Sequence, residues 1–218
     1  DFCLAGGVAM NCKMNGELSK EKYIKNIFVQ PAASDNGVSL GAAQLLTIKR
    51  GGKLNTKLTN VYYGQKYSNK EIFNYLKEKK LKFYKSKNIF KEAAKLIYNK
   101  KIISWFQGRM EFGARSLGNR SILASPLYKD MKNKINLDVK HRENWRPFCP
   151  SILDEDYKRY IASNTRSRFM TIALPVNEKL KKFIPSCVHV DGTVRCQIVD
   201  KKNNLRFFKL IKEFKKLS

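Results

Sequence analysis

Apolar residues and glycines alternate with polar turns along the first 50 residues. Residues 2–9 are typical of a strand that runs into a glycine turn, and residues 26–29 predict a second strand. Small residues from 31 to 43 predict a helix that follows it. This order of strand, polar turn and small-residue helix is typical of an α/β fold.

The pattern changes in the middle of the chain, where lysine-rich helical segments replace the small residues. Turn residues between 50 and 65 mark a candidate domain boundary. After them the spacing of apolar positions predicts a helix over 68–80, a strand over 81–85, a helix over 88–100 and a strand over 101–106. We therefore predict an α/β fold with mixed α+β sheets.

Composition narrows the class of protein without identifying it. The 218 residues include 43% hydrophobic residues, enough to bury a core, and 44 Lys and Arg against 18 Asp and Glu give a formal net charge of +26. This charge favours phosphate-bearing partners. A general bias toward Lys, Asn and Ile along the whole chain explains it equally well.

The five cysteines form no CxxC pair, and their odd number argues against a secreted disulfide framework. We expect them to be reduced and buried in a cytoplasmic protein. No apolar run approaches the roughly 18 residues of a membrane helix, so we expect no membrane association. The chain begins at Asp1, inside a strand pattern, and we expect it to be a piece of a longer protein.

The densest polar motif follows the predicted strand at 101–106. Residues 107–122, here called the arginine loop, contain three arginines and three glycines. Such a loop can gather backbone N–H and guanidinium groups around phosphate or carboxylate oxygens. The alternative is an ordinary exposed loop with solvated arginines.

Two further basic segments lie downstream. Residues 140–150 combine three cations with two aromatic residues and two prolines, which stiffen the backbone. Residues 187–199 predict a hairpin with an Asp-Gly turn, flanked by His189 and Arg195. These segments matter for binding only if they converge with the arginine loop.

Six stretches, in this order, resemble the O-carbamoyltransferases of the nodulation protein U, cephamycin and tobramycin carbamoyltransferase family. They are residues 4–12, 30–37, 105–113, 117–124, 142–150 and 189–195. Ala114 and Ser116 depart from the family pattern, which usually has Pro and Ala there. The departures affect the shape of the loop and remove no reacting group.

The resemblance implies two incomplete domains. Residues 1–56 correspond to the end of an actin/Hsp70-like ATPase-fold domain, 57–88 to a connector with a helix, and 89–218 to most of a YrdC-like domain. The family's HxxxH metal motif would lie before Asp1, and its Asn-Thr-Ser-Phe-Asn motif would follow Ser218. We therefore expect weak nucleotide binding and little or no turnover from the chain as given.

The resemblance also implies a reaction. In such enzymes the YrdC-like domain makes carbamoyl-adenylate from carbamoyl phosphate and ATP, with Mg, and the ATPase-like domain transfers the carbamoyl group to a hydroxyl of a small molecule or glycan. Fixed cations must offset the repulsion between the two polyanions. The implied catalytic residues are Arg115, Lys140, Arg146 and Arg195, with Arg120, Ser121, His189 and Thr193 as second-rank substrate binders.

The N-terminal residues have implied roles of their own. Gly6, Gly7 and Asn11 match the turn that contacts the nucleotide, where glycine permits close approach of the backbone. Asp35 matches the carboxylate ligand of an Fe(II) site completed by the two upstream histidines, although an Asp in such a turn is more often a turn or cap residue. One carboxylate cannot hold a metal alone, so we expect no tight metal binding by this chain.

Several interpretations stay open. Arg109 and Arg142 are expected to be structural, in salt bridges with Glu111 or Glu143. A tRNA-modifying relative that makes threonylcarbamoyladenosine, or a basic nucleic-acid-binding module without catalysis, would suit the charge. The motifs favour the small-molecule family, so we do not expect a nucleic-acid partner. The acceptor is undetermined, and a homodimer is left open.

Overall fold

The computed structural model describes residues 1–54 and 57–218. The predicted domain boundary at Thr56 lies outside the described residues. The regular elements, in chain order, are β1 (Phe2–Leu4), α1 (Cys12–Leu18), β2 (Ile27–Val29), α2 (Val38–Lys49), α3 (Asn69–Glu78), α4 (Ile89–Tyr98), β3 (Ile103–Phe106), β4 (Arg120–Leu123), α5 (Met131–Lys134), β5 (Ser151–Leu153), α6 (Tyr157–Tyr160), β6 (Leu174–Pro175), α7 (Glu178–Lys181), β7 (Thr193–Val194), β8 (Gln197–Val199) and α8 (Leu205–Lys215).

Polar side chains fix where several helices begin. Asn11 accepts hydrogen bonds from the backbone N–H groups of α1, and Ser68 forms a capping box with Glu71 at the start of α3. Asn88 and Asn204 cap α4 and α8 in the same way. Each cap satisfies N–H groups that have no partner inside the helix.

The strands pair into small two-stranded sheets. β1 pairs with β2 and β5 with β8, both in parallel, whereas β3 pairs with β4 and β6 with β7 in antiparallel register. The mixed α/β fold class is therefore confirmed. Because β3 and β4 are neighbours, they hold the two ends of the arginine loop together.

Three predictions of local structure are wrong. Residues 81–85 form no strand; Phe83 instead packs edge-on against Phe73 of α3, with ring centroids 5.5 Å apart. Residues 120–122 belong to β4 rather than to a loop. The Asp191–Gly192 turn forms, but residues 187–190 before it form no strand, and β7 after it pairs with β6, so there is no hairpin.

The main core joins the two ends of the chain. Its buried residues include Ile152, Leu174, Val194 and Ile198 from β5 to β8, together with Ala9, Val29 and Ala33 from the first 54 residues. A second core forms between α4, α8 and β3. The first 54 residues therefore complete the core of the later strands.

Helix α1 docks closely on the segment before β6. The buried side chain of Asn15 donates hydrogen bonds to the carbonyl oxygens of Ala9 and Thr171, both at 2.8 Å. A Cβ at Gly16 would lie 2.3 Å from the carbonyl oxygen of Ala173. A larger residue would force the two segments apart.

The Gly16→Ala variant is therefore expected to lose about 2–3 kcal/mol of unfolding free energy, as overpacked sites do. Gly41→Ala is the matched control, since Gly41 also lies in a helix but has open space at its Cβ position. This control should be neutral or more stable by up to about 1 kcal/mol. Urea unfolding of both variants makes the comparison, and equal effects would contradict close docking of α1.

All five cysteines are free thiols. Cys187 and Cys196 are buried and Cys12 and Cys149 are half-buried, but Cys3 is exposed, so the expectation that all are buried is wrong. Across residues 1–54 and 57–218, no helix combines the length and apolar character needed to cross a membrane.

Candidate anion-binding site

The arginine loop folds around one buried carboxylate. Oε1 of Glu111 accepts hydrogen bonds from the backbone N–H groups of Leu117, Asn119 and Arg120 at 2.7, 2.8 and 3.1 Å. Glu111 is therefore bonded to the backbone on the far side of the loop. These hydrogen bonds close residues 112–116 into a short loop that carries Arg115.

Two glycines allow the loop to lie close to its surroundings. Gly113 has φ +112°, and a Cβ there would lie 2.9 Å from the carbonyl oxygen of Pro31. Gly118 has φ +95°, and a Cβ there would enter the ring of Phe207. Both positions combine a left-handed backbone with no room for a side chain. The loop is thus fixed between the segment after β2 and helix α8.

Arg120 stabilises the base of this loop. Its guanidinium donates to the carbonyl oxygens of Gln107, Gly108 and Asn119 at 2.6, 3.2 and 2.9 Å. The same group lies 3.6 Å from the centroid of the Phe106 ring. With a further bond to the carbonyl oxygen of Gln65 at 3.3 Å, these contacts commit its donors to backbone oxygens in and beside the loop.

A network of side-chain amides links both ends of the arginine loop to the start of α8. Side-chain amides of Gln107, Asn119 and Asn204 bond one another at 2.7 to 3.0 Å. The Ser121 hydroxyl accepts the N–H of Gly118 at 3.0 Å. Ser121 therefore also acts on the loop backbone in this structure.

The arginine loop forms one wall of the site, and the turn at 189–193 forms the other. Oδ1 of Asp191 accepts both the N–H and the hydroxyl of Thr193, at 3.0 and 2.7 Å, and its other oxygen pairs with Lys13 of α1. Since the Thr193 hydroxyl donates to Asp191, its oxygen is left to accept from Nδ1 of His189 at 3.0 Å. Nε2 of His189 is then an acceptor; it is buried and has no partner among the described residues.

Arg115 of the arginine loop and Arg195, just after the turn, are both half-buried, and the charge of each acts on the other; they are here called the arginine pair. Nε of Arg195 donates to Sγ of Cys149 at 3.1 Å. Burial lowers the pKa of Arg115, and the neighbouring charge of Arg195 lowers it further. Burial also opposes the charge of Arg195, but the sulfurs of Cys149 and Cys12 outweigh it, so its pKa lies above the ordinary value. Neither arginine has a carboxylate partner within the part of the chain that the structure describes.

His189 stays neutral at physiological pH. Burial, together with the charges of Arg195 and Lys13, lowers its pKa to about 4. The unfolded chain therefore takes up a proton between about pH 6.5 and pH 4 that the folded protein does not bind. The unfolding free energy must fall as the pH is lowered through this window.

We expect His189→Gln to reduce this pH dependence by about 1–2 kcal/mol between pH 6.5 and 4, a value reduced for the partial exposure of the ring. His141→Asn serves as the control because His141 is exposed and has a left-handed backbone, which Asn tolerates. Urea unfolding at each pH gives the measurement. Equal slopes for wild type and His189→Gln would contradict the assignment.

The segment 140–150 reaches the arginine pair through Cys149, but its candidate cations Lys140 and Arg146 do not. Lys140 and Arg146 are exposed, and Nε of Arg146 pairs with Glu143 at 2.8 Å. No contact links either residue to Arg115 or Arg195 among the residues described. Their predicted part in the site stays a prediction.

The two salt bridges expected for structural arginines are wrong. Arg109 donates to the carbonyl oxygen of Gly64 at 3.2 Å, because Glu111 is occupied by backbone N–H groups. Nε of Arg142 donates to Oδ1 of Asn136 at 2.8 Å. Both arginines are structural, but through neutral acceptors.

The N-terminal candidates lie at an exposed turn. Gly6 has φ +91°, and no atom approaches the Cβ positions of Gly6 or Gly7 within 4 Å. Asn11 uses its side chain to cap α1. Asp35 is exposed in a short 3-10 turn, and the described residues contain no group of three His, Cys, Asp or Glu able to hold a metal.

Sequence comparison now relates this site to known proteins. Residues 94–218 match the family model described as carbamoyltransferase C-terminus. The chain belongs to the carbamoyltransferase family. Residues 1–44 match the family's second model, carbamoyltransferase N-terminus. The resemblance inferred from the motifs is confirmed, and both walls of the site come from segments that these models cover.

Individual carbamoyltransferase relatives match along nearly the whole chain. Nodulation protein NolO of Bradyrhizobium diazoefficiens is 41% identical over 222 residues, covering 99% of this chain and 40% of the relative. An uncharacterised protein of Synechocystis is 35% identical, covering 100% and 40%. Nodulation protein U of Rhizobium fredii is 26% identical, covering 100% and 36%. The chain thus spans about two fifths of the length of these relatives.

Motif analysis missed several residues of the candidate site. Lys13, Asp191 and Cys149 each lie inside or beside a matching stretch, yet none was singled out as a contact. Asp191 could have been found, because an Asp two residues before a Thr is a common hydrogen-bonded turn. The approach of Cys149 to Arg195 depends on residues 46 positions apart, which no local pattern records.

Proposed function

We propose that the full-length protein is an O-carbamoyltransferase that makes carbamoyl-adenylate from carbamoyl phosphate and ATP and passes the carbamoyl group to a hydroxyl of a small molecule or glycan. The observation that carries this proposal is the pair of half-buried guanidinium groups, Arg115 and Arg195, neither of which has a carboxylate partner among the described residues. Membership of the carbamoyltransferase family supports the reaction class.

The arginine pair is suited to a phosphate group. Two like charges that are both partly removed from water repel each other unless an anion lies between them. Phosphate oxygens accept charge-assisted hydrogen bonds from guanidinium groups, often two at a time. A bound phosphate would therefore offset the repulsion that burial now intensifies.

His189 provides a complementary contact for the carbamoyl end. Its Nε2 is a buried acceptor that no donor among the described residues reaches, and its Nδ1 is held by Thr193. A carbamoyl NH₂ group is a donor that this nitrogen can accept from. Carbamoyl phosphate carries both a phosphate and such a donor, which is why it suits this site better than inorganic phosphate alone.

We also assign the other predicted domains, residues and the metal of ATP within this proposal. We place residues 1–56 in an actin/Hsp70-like ATPase-fold domain, residues 57–88 in a connector and residues 89–218 in a YrdC-like domain. The exposed turn at Gly6 and Gly7 would be open to the nucleotide. Lys140 and Arg146, which are exposed, would bind further phosphate oxygens of ATP. Mg would bind together with ATP.

The described residues do not by themselves fit an iron site. Asp35 is a single exposed carboxylate, and it has no histidine, cysteine or second acidic side chain grouped with it in the described chain. A tight site would need ligands from elsewhere in the protein. We therefore derive no step through iron.

The proposal is tested by exchange of pyrophosphate into ATP in the full-length protein. Exchange that requires carbamoyl phosphate and disappears in Arg195→Ala is the expected result. A folded full-length protein without such exchange would remove the proposed reaction. If salt-sensitive tRNA binding is found in its place, the tRNA-modifying alternative takes over.

A further inference from the structure

The backbone of the turn at 189–193 brings two functional side chains together. The N–H of His189 donates to the carbonyl oxygen of Thr193 at 2.8 Å, and the N–H of Gly192 donates to the carbonyl oxygen of His189 at 2.9 Å. Gly192 has φ +78°, a left-handed conformation that suits glycine in such a turn. The side chains of His189 and Thr193 are therefore held next to each other at the ends of the turn.

A carboxylate sets the direction of the hydrogen bonds between these side chains. The carboxylate of Asp191 pairs with the ammonium group of Lys13, and its oxygens can only accept hydrogen bonds. One of them accepts the hydroxyl of Thr193 at 2.7 Å. Because the hydroxyl hydrogen is used there, the hydroxyl oxygen accepts from Nδ1 of His189 at 3.0 Å. The ring proton is thus kept on Nδ1, and Nε2 keeps its lone pair.

This series of hydrogen bonds lies on the same side of the backbone as Arg195. Val194 and Cys196 are fully buried in the main core. Since side chains alternate along an extended segment, Thr193 and Arg195 both face away from that core. The phosphate-binding guanidinium and the residue that holds His189 are therefore two positions apart on one face.

The lone pair of Nε2 can distinguish two acyl phosphates of nearly the same shape. Carbamoyl phosphate has an NH₂ group where acetyl phosphate has a methyl group. The NH₂ group can donate to Nε2 of His189, whereas a methyl group leaves this buried nitrogen without a partner. A site built to bond an N–H group of its substrate strongly rejects an analogue that lacks this group.

We propose that Asp191 and Thr193 are positioning residues, which select carbamoyl phosphate over acetyl phosphate by keeping His189 a hydrogen-bond acceptor. The inference rests on the proposed function and adds the residues that determine its donor specificity. Lys13, which anchors Asp191, lies in the segment matched by the N-terminal family model, whereas the turn lies in the segment matched by the C-terminal model. Both segments therefore contribute to the choice of substrate.

The experiment compares carbamoyl phosphate with acetyl phosphate in pyrophosphate exchange by the full-length protein. Wild type should prefer carbamoyl phosphate. Thr193→Val should reduce the ratio of the two kcat/KM values about 10- to 100-fold, because Nδ1 of His189 loses the oxygen that fixes its proton. Thr193→Ser keeps a hydroxyl at this position, so its ratio should stay within a few-fold of wild type.

A second pair of variants tests the anchor on α1. Lys13→Met should lower the same ratio several-fold, because the carboxylate of Asp191 loses the group that holds it in place. Lys20→Met is the matched control, since Lys20 follows the same helix and pairs with Glu17 at an exposed position, 2.8 Å away. This control should leave the ratio unchanged.

The results separate this inference from the proposed function. If Thr193→Val lowers exchange with both acyl phosphates equally, Thr193 only supports the fold and the inference is overturned, while the proposed function stands. If wild type exchanges with neither, the proposed function fails, and protection from thermal unfolding by each acyl phosphate decides the specificity. Carbamoyl phosphate should then protect wild type more than acetyl phosphate does, and Thr193→Val should lose this difference. Equal protection of wild type by both compounds, or protection by neither, overturns the inference.

Discussion

Replacing Glu111 by alanine is expected to destabilise the protein by about 3–5 kcal/mol. The substitution removes the common acceptor of three backbone N–H groups, those of Leu117, Asn119 and Arg120. Each buried donor left without a partner costs about 1–3 kcal/mol, and water entering the loop recovers part of the total. Urea unfolding monitored by circular dichroism measures the change.

Glu111→Gln is the decisive control for this prediction. All three bonds use Oε1, which an amide oxygen can replace, so this variant should lose only about 1 kcal/mol. Glu143→Ala, at an exposed ion pair, should change stability by less than about 1 kcal/mol. If Glu111→Ala is as mild as Glu143→Ala, the loop is organised by other contacts.

Arg115→Ala is expected to lower kcat/KM for carbamoyl phosphate about 100- to 1,000-fold in the full-length protein. This is the range seen when one group that stabilises developing charge is removed from an active site. Stability should stay level or rise slightly, because the variant relieves repulsion between Arg115 and Arg195. Steady-state exchange kinetics and thermal unfolding together provide the measurement.

The matched control lies in the same loop. Arg109 is exposed and donates to the carbonyl oxygen of Gly64, so Arg109→Ala removes the same charge from outside the site. Its kcat/KM should stay within a few-fold of wild type. Equal losses in the two variants would mean that overall charge, rather than the arginine pair, governs substrate binding.

Much of the local structure was predictable because it depends on local patterns. The strands at 27–29 and 103–106 and the helices α3 and α4 follow from apolar spacing and caps such as Ser68 and Asn88. The strand predicted at 81–85 is absent, because a local pattern of apolar residues does not show whether a partner strand is available. Phe83 packs on Phe73 of α3 instead, and no strand of the described chain pairs with residues 81–85.

The site was only partly predictable. The motifs pointed to Arg115, Arg195 and His189, which the structure brings to one place. Glu111 was wrongly predicted to form a salt bridge with an arginine. The sequence shows the opposite charges, but it does not show the three backbone N–H groups that the folded loop brings to the carboxylate. The sequence also grouped Lys140 and Arg146 with the site by motif alone, since their exposure depends on how residues 135–150 fold.

The shared core has a consequence for how the protein is made. Ala9, Val29 and Ala33 lie in one core with residues as late as Ile198. At ribosomal speeds of about 5–20 residues per second, these apolar surfaces wait roughly 10–30 s for their partners to be synthesised. We therefore expect chaperones to bind these surfaces during translation, and this core to close only after β8 has left the ribosome.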